Sequence, residues 1–493
     1  MFESAELGHR IDKKTYNKEV PELREDLLNT QFEVSKNHTF PVIILVGGVD
    51  GAGKSETVNL LNEWMDPRHI EVNAMGKPTE EERERPPMWR FWRALPPKGK
   101  IGVFFGSWYT DPIINRVTGK TKKSQLNRSI EEINRFEKML TDEGTLILKF
   151  WFHLSKKAQK KRLKALEKNP GTRWRVADTD WERFKLYDKF RKWSEHTLRQ
   201  TSTSVAPWIV VEGVNHRYRS LTVGKILLEA MQKRLGQEIS EKSLVTASPL
   251  PPSIDDRNML RSLDLSQKLS KPVYKRELEK YQGKLNLLTR KVKFKKKFSL
   301  IAAFEGSDAG GKGGAIRRVT ASLDARQYNI IPVAAPTDEE LAQPYLWRFW
   351  RHVPGKGRVT IFDRTWYGRV LVERVEGFCP ETDWMRAYEE IKDFEEQLIR
   401  KNILLAKFWL AISKEEQLRR FNERKEIAFK AFKITDEDWR NREKWDDYER
   451  AVCDMVDRTS TELAPWTIVE SDSKYFARIK VLKTLCKTIE EVL

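Results

Sequence analysis

Two stretches of this chain, 258 residues apart, carry the same motifs in the same order. Gly48-Val-Asp-Gly-Ala-Gly53-Lys54 returns as Gly306-Ser-Asp-Ala-Gly-Gly311-Lys312, and Trp89-Arg-Phe-Trp92 returns as Trp347-Arg-Phe-Trp350. Ser107-Trp108-Tyr109 pairs with Thr365-Trp366-Tyr367, Lys149-Phe-Trp151 with Lys407-Phe-Trp409, and Ala206-Pro-Trp208 with Ala464-Pro-Trp466. The offset does not change from Gly48 to Trp208, so the copies differ by no net insertion. The period is far longer than that of a solenoid repeat, which makes the chain a tandem domain duplication. The expected division is 1–235, a linker over 236–256, and 257–493. Each copy then serves as a control for the other. Agreement points to demands of the fold, and difference points to divergence of function.

The length of 493 residues suits two domains, and 39% hydrophobic content with 17 Trp and 23 Phe suffices for two cores. A formal charge of +19 favours a polyanionic partner such as a nucleotide, polyphosphate, nucleic acid or phospholipid surface. Helix-turn-helix, zinc-finger and aromatic RNA-binding patterns are absent, which argues against nucleic acid. No apolar run approaches bilayer length, and mean hydropathy is −0.63, so no membrane span is expected. Met1-Phe-Glu-Ser-Ala-Glu has neither a basic nor an apolar segment of a signal peptide, and a cytoplasmic location is expected. Cys379, Cys453 and Cys486 show no metal-ligand spacing and read as ordinary reduced thiols.

Along each copy, short β-branched runs alternate with charged segments of helical period. The predicted strands are 41–46, 70–74, 101–105, 145–154 and 208–211, then 298–304, 330–335, 359–362, 403–412 and 466–469. This alternation predicts two α/β domains, each a mostly parallel five-stranded sheet flanked by helices. Long charged helices precede them at 13–37 and 271–291. Ala247-Ser-Pro-Leu-Pro-Pro-Ser253 marks the linker. The run Lys291-Val-Lys-Phe-Lys-Lys-Lys297 reads as a solvated helix end, with contact to polyanion as the alternative, because the second glycine loop follows.

A strand running into Gly-x-x-x-x-Gly-Lys and then a helix is the phosphate-loop signature. Its glycines let backbone N–H groups approach phosphate oxygens, the helix N-terminus adds a positive dipole end, and the lysine adds a charge. Gly306, Gly311 and Gly313, with Lys312, are therefore candidate phosphate-binding residues. The first copy has Ser55 after its lysine, the usual magnesium-binding hydroxyl, whereas the second has Gly313. Both loops contain an aspartate, Asp50 or Asp308. A carboxylate among anion-binding groups is costly unless a cation offsets it, which makes Asp308 a candidate metal ligand.

The strand Val359–Phe362 runs into Asp363-Arg364-Thr-Trp-Tyr-Gly-Arg369, with Glu373 beyond. A carboxylate at a strand end downstream of a phosphate loop suits the same Mg2+. Arg364 and Arg369 suit phosphoryl oxygens, and Glu373 suits an acceptor phosphate or metal-bound water, with an ion pair to Arg369 or Arg374 as its structural alternative. At the equivalent positions the first copy has Phe105, Gly106, Asp111 and Asn115. The second copy is therefore the expected catalytic one. His352 is its only histidine, so direct in-line transfer is favoured over a phosphohistidine.

Taken together, Gly306-x-Asp-x-x-Gly-Lys-Gly-Gly314, Trp347-Arg-Phe-Trp350, Pro354-Gly-Lys-Gly357 and Asp363-Arg-Thr-Trp-Tyr367 resemble the polyphosphate kinase 2 family, in its fused two-domain form. The resemblance implies P-loop kinase-like domains with a helical lid and an active C-terminal domain. It implies essential Asp308, Lys312, Asp363 and Arg364, with Mg2+ between the carboxylates. The activity implied is phosphoryl transfer from inorganic polyphosphate to AMP, giving ADP. The lid would run from Glu415 to about Trp445, with Arg420 and Arg424 closing over a substrate; a solvated helix face is their structural alternative. A homo-oligomer is compatible with this reading. Polyphosphate-dependent phosphorylation of ADP or GDP, an ATP-dependent nucleotide kinase, and a non-enzymatic polyanion-binding protein stay open as alternatives.

Overall fold

The protein is described from a computed structural model, in which residues 1–236, 258–426 and 436–493 are described. The predicted linker beyond Gly236 and the lid segment 427–435 lie outside the described residues. The chain forms two compact units, one per copy, apart from two short segments. Thr79–Trp89 groups with the second unit and Pro336–Trp347 with the first, so the units are not continuous in sequence.

The first unit contains strands β1 (Val42–Gly48), β2 (Ile70–Ala74), β3 (Ile101–Phe105), β4 (Leu146–His153) and β5 (Trp208–Glu212). The second contains β6 (Ser299–Gly306), β7 (Tyr328–Pro332), β8 (Val359–Asp363), β9 (Ile403–Ala411) and β10 (Trp466–Glu470). The sheet orders are β2-β3-β1-β4-β5 and β7-β8-β6-β9-β10, and every pairing is parallel. Strands covered on both faces read as continuous apolar runs, which is why Ile-Ile-Leu-Val in β1 and Leu-Ile-Ala-Ala-Phe in β6 lack alternation. Chain order reverses direction at β1 and β6, so the loops leaving their carboxyl ends sit where such sheets bind ligands.

The motifs shared by the copies are core. Trp350, Phe349 and Trp366 are buried, as are Trp92, Phe91 and Trp108. Two matching polar networks lie beneath them. In the second unit Lys407 of β9 pairs with Glu395 at 2.8 Å and donates to the Thr459 carbonyl at 2.9 Å. Glu395 Oε1 also accepts from the Tyr367 hydroxyl at 2.6 Å and the Trp366 indole at 3.0 Å. Lys149, Glu137, Thr201, Tyr109 and Trp108 repeat this arrangement in the first unit. Burial pushes the Lys407 ammonium down and the Tyr367 hydroxyl up, and Glu395 counters the first shift and reinforces the second. The Trp-Tyr and Lys-Phe-Trp motifs are thus shared because each network needs all of its members.

The basic run near 291–297 forms the helix Val292–Lys297, ahead of β6. Its glycine loop is at the other end of that strand, eight residues on, or roughly 26 Å at about 3.3 Å per residue. It is a solvated helix end, and contact with the second glycine loop is not what the structure shows. Among the described residues no helix is long and apolar enough to cross a membrane. Burial pushes the thiols of Cys379 and Cys486 up, to about 12 and about 11, so neither is activated.

Candidate phosphoryl-transfer site

The second glycine loop turns sharply out of β6. Gly306 has φ 151, and a Cβ there would lie 2.6 Å from the Leu410 carbonyl oxygen of β9, so no larger residue fits. The helix Lys312–Thr320 begins at Gly311, which offers no side-chain acceptor to its first N–H groups. Those donors are left for an anion. Lys312 Nζ donates to the Gly306 carbonyl at 2.6 Å, across the loop.

Asp308 and Asp363 line one cavity of about 340 Å³ together with Gly311, Lys312, Gly313 and Arg364. The predicted pair is therefore brought together at the loop. Asp308 faces the Arg364 guanidinium at 3.5 Å and accepts from the Asn441 amide at 2.9 Å. These two partners offset the carboxylate placed inside an anion cradle. Burial opposes the Arg364 charge, but Asp308, Glu305, Glu437 and Asp363 outweigh it and hold its pKa up. Among the described residues no cluster of three or more His, Cys, Asp or Glu side chains forms a complete metal cage. Two carboxylates open to one cavity suit a hard cation that keeps several waters.

Arg364 stands in the left-handed backbone region at φ 65, where its counterpart is Gly106 at φ 84. A non-glycine residue there costs about 1–3 kcal/mol. Arg364 takes that strained conformation where the first unit has glycine, and its guanidinium faces Asp308. Arg364→Gly is expected to change folding stability by no more than about 1 kcal/mol, since relieved strain and added unfolded-state entropy oppose each other. Turnover should nevertheless fall by about 10³-fold. Chemical denaturation and steady-state rates on the same preparation check both halves.

Glu305, the residue before the loop, was not among the predicted residues. It is buried, and its Oε1 accepts from the Thr365 N–H and hydroxyl, both at 2.7 Å. Burial raises its pKa, with Thr365, Lys312 and Arg364 acting against the rise. Glu305 thus anchors the turn that carries Asp363 and Arg364. Its counterpart is Gly47, so comparing the copies could have found it. Asn441 was missed for lack of any local motif; its counterpart is Arg183.

Two further cavities adjoin the loop. One, of about 210 Å³, is lined by Arg317, Arg420, Arg424, Lys474 and Arg478 with Glu423. The other, of about 280 Å³, is largely apolar, with Leu260, Leu371, Trp409, Trp445 and Tyr448 leading to Asp308 and Arg364. The two predicted lid arginines part company. Arg424 is half-buried and lines both the cationic cavity and the loop cavity. Arg420 is only 2% exposed and donates to the carbonyls of Ala309, Ser471 and Asp472, with Glu416 at 2.6 Å. It braces the loop from behind, and its hydrogen bonds are not those of a side chain that closes over a substrate. Burial lowers its pKa and Glu416 counters that.

Arg369 and Glu373 pair with each other at 2.8 Å, and Asp383 lies 3.5 Å from Arg369. Neither lines the three cavities, although Gly368, Leu371 and Val372 beside them line the apolar one, and the ion pair expected as the structural alternative is present. His352 also lines none of them; its ring packs edge-on to Phe362.

The chain matches the family described as polyphosphate kinase 2 over residues 10–238 and 268–492. It is 59% identical over 490 residues to a polyphosphate:AMP phosphotransferase of Pseudomonas aeruginosa, covering 99% of each chain. It is 36% identical over 486 residues to a protein of the same name from Acinetobacter johnsonii, covering 97% of each. A Pseudomonas aeruginosa crystal structure assigned as a polyphosphate kinase 2 superposes with a TM-score of 0.90 at 56% identity, covering 100% of this chain and 99% of that one. With two matched copies, a shared fold and similarity along its whole length, this chain belongs to the polyphosphate kinase 2 family.

Proposed function

We propose that the protein is a polyphosphate:AMP phosphotransferase and that the second unit carries the reaction. The observation that carries this reading is the flanking of one glycine loop by two unlike cavities. A cationic cavity suits a linear polyanion without base readout. An aromatic, apolar cavity suits a nucleoside. Both reach the loop, so donor and acceptor phosphates would meet over Lys312, Asp308 and Arg364. AMP as acceptor follows from the full-length relatives, which bear that name.

In this reading the loop N–H groups and Lys312 hold the transferring phosphoryl group. Arg364 neutralises charge that develops on it, and Glu305 keeps Arg364 and Asp363 in register through Thr365. Arg317, Arg424, Lys474 and Arg478 hold the rest of the donor chain. Phosphotransferases of this kind generally use a divalent metal; Asp308 and Asp363 would hold Mg2+, which when bound supplies charge neutralisation between phosphates. A cytoplasmic location belongs to the same reading.

Purified protein given AMP, Mg2+ and polyphosphate, with no ATP, is expected to form ADP while the chain shortens. ADP formation only when ATP is supplied would instead assign an ATP-dependent nucleotide kinase. Preference for ADP or GDP over AMP would assign the other polyphosphate-dependent kinases.

A further inference from the structure

The first unit keeps half of a phosphate site. Its helix Lys54–Trp64 starts at Gly53 with no side-chain cap, and Lys54 Nζ rests on the Gly48 and Val49 carbonyls at 2.8 and 2.9 Å. Phe105 stands where the second unit has Asp363. The remaining loop carboxylate, Asp50, lies 3.6 Å from Lys54 and 3.6 Å from Arg183. Arg183 occupies the position of the neutral Asn441, so a guanidinium fixed in the chain now neutralises Asp50. One carboxylate already shared by two cations is a poor ligand for a divalent ion, while the surplus positive charge suits an anion.

Among the described residues, aromatic rings of the first unit stand where the second unit has its aromatic cavity. Phe2 is 1% exposed and stacks on His153 and Trp151, with centroids 4.6 and 6.2 Å away, and Phe190 stacks on Trp151 at 5.7 Å. Leu260, Ala411 and Tyr448 occupy these positions in the second unit and line its cavity. The chain's own rings thus fill the space a nucleoside would need.

Positive charge has instead accumulated on the outer face of a helix that packs on the loop. The helix Lys156–Lys168, Lys-Lys-Ala-Gln-Lys-Lys-Arg-Leu-Lys-Ala-Leu-Glu-Lys, carries seven cations against one carboxylate. Its counterpart Lys414–Lys425 carries five against three. The glutamates 415, 416 and 423 correspond to Lys157, Ala158 and Ala165. Gln159 ties the helix to the loop by donating to the Asp50 carbonyl at 3.0 Å. Arg162, Arg175 and Arg219 are committed to Glu56. Lys157, Lys160, Lys161 and Lys164 are exposed, and none is paired with a described carboxylate. They span about two helical turns, or roughly 10 Å, which suits a chain of phosphates better than a single one.

We propose that the first unit is a metal-independent holding site for inorganic polyphosphate, with the loop, Lys54 and Arg183 gripping the chain and the lysine face of helix Lys156–Lys168 extending it. This rests on polyphosphate being the donor in the second unit. The test is calorimetric titration of the full-length protein with long-chain polyphosphate in excess chelator. Wild-type protein should bind. Lys157→Glu/Lys160→Glu/Lys164→Glu, on exposed positions, should weaken binding about tenfold and flatten its salt dependence, and Lys54→Ala/Arg183→Ala should weaken it comparably. Lys312→Ala should cost less than either. Circular dichroism melts confirm that each variant folds. Loss of all binding in chelator, unchanged binding by both first-unit variants, or equally tight binding of orthophosphate would each overturn the proposal. The metal-dependent ADP assay judges the donor reading separately, so the two failures are distinguishable.

Discussion

Asp363→Asn is expected to lower the rate of phosphoryl transfer by about 10³-fold or more, equivalent to about 4 kcal/mol of transition-state stabilisation. The side chain keeps its size and loses its charge. Asp363 ends β8 and shares the loop cavity with Asp308, Lys312 and Arg364. With Asp308 already facing Arg364 and Asn441, Asp363 is the less committed carboxylate for a cation between phosphates. Asp50→Asn should cost far less, because Phe105 leaves the first loop without a second acid. Raising Mg2+ should recover part of the Asp363→Asn loss if the defect is in metal affinity. An active Asp363→Asn beside an inactive Asp50→Asn would move the chemistry to the first unit.

Lys407→Met should destabilise the second unit by about 3–5 kcal/mol, because it leaves the Glu395 carboxylate buried without its cation. The Lys407 side chain is 0% exposed and that of Glu395 3%, so water cannot substitute. The double change Lys407→Met/Glu395→Leu should recover much of the loss, although Tyr367 and Trp366 then lose their acceptor. Chemical denaturation of both variants checks this. A Lys407→Met protein as stable as wild type would show that the pair is not what the shared motifs preserve. Lys149→Met should behave alike in the first unit, since its network is the same.

Strand positions were legible because covered parallel strands are short apolar runs, and β2 and β3 begin and end where the sequence placed them. The helix Lys13–Asn37 was likewise placed to the residue. Asp308, Lys312, Asp363 and Arg364 were legible because they lie within or beside sequence-local motifs, and the structure brings all four to one cavity. Arg420 does line the cationic cavity, but its ties to the loop carbonyls were not legible, because an arginine on a charged helix looks alike whether it faces solvent or a carbonyl. Arg369 and Glu373 were read from proximity in sequence to Asp363, and the ion pair between them is what the structure adds.

The repeat by itself determined that there are two sheets of one topology, two phosphate loops, and one unit lacking the second acid. Those conclusions need only residue type and spacing, which set strand runs, tight turns and the presence or absence of a charge. Only the tertiary structure decided which polar partner meets which carboxylate. Arg183 reaches Asp50, Asn441 reaches Asp308, and Glu305 holds Thr365 across 60 residues of chain. Such pairings depend on helices and strand ends converging from distant parts of the sequence, and on burial that makes each unpaired charge costly.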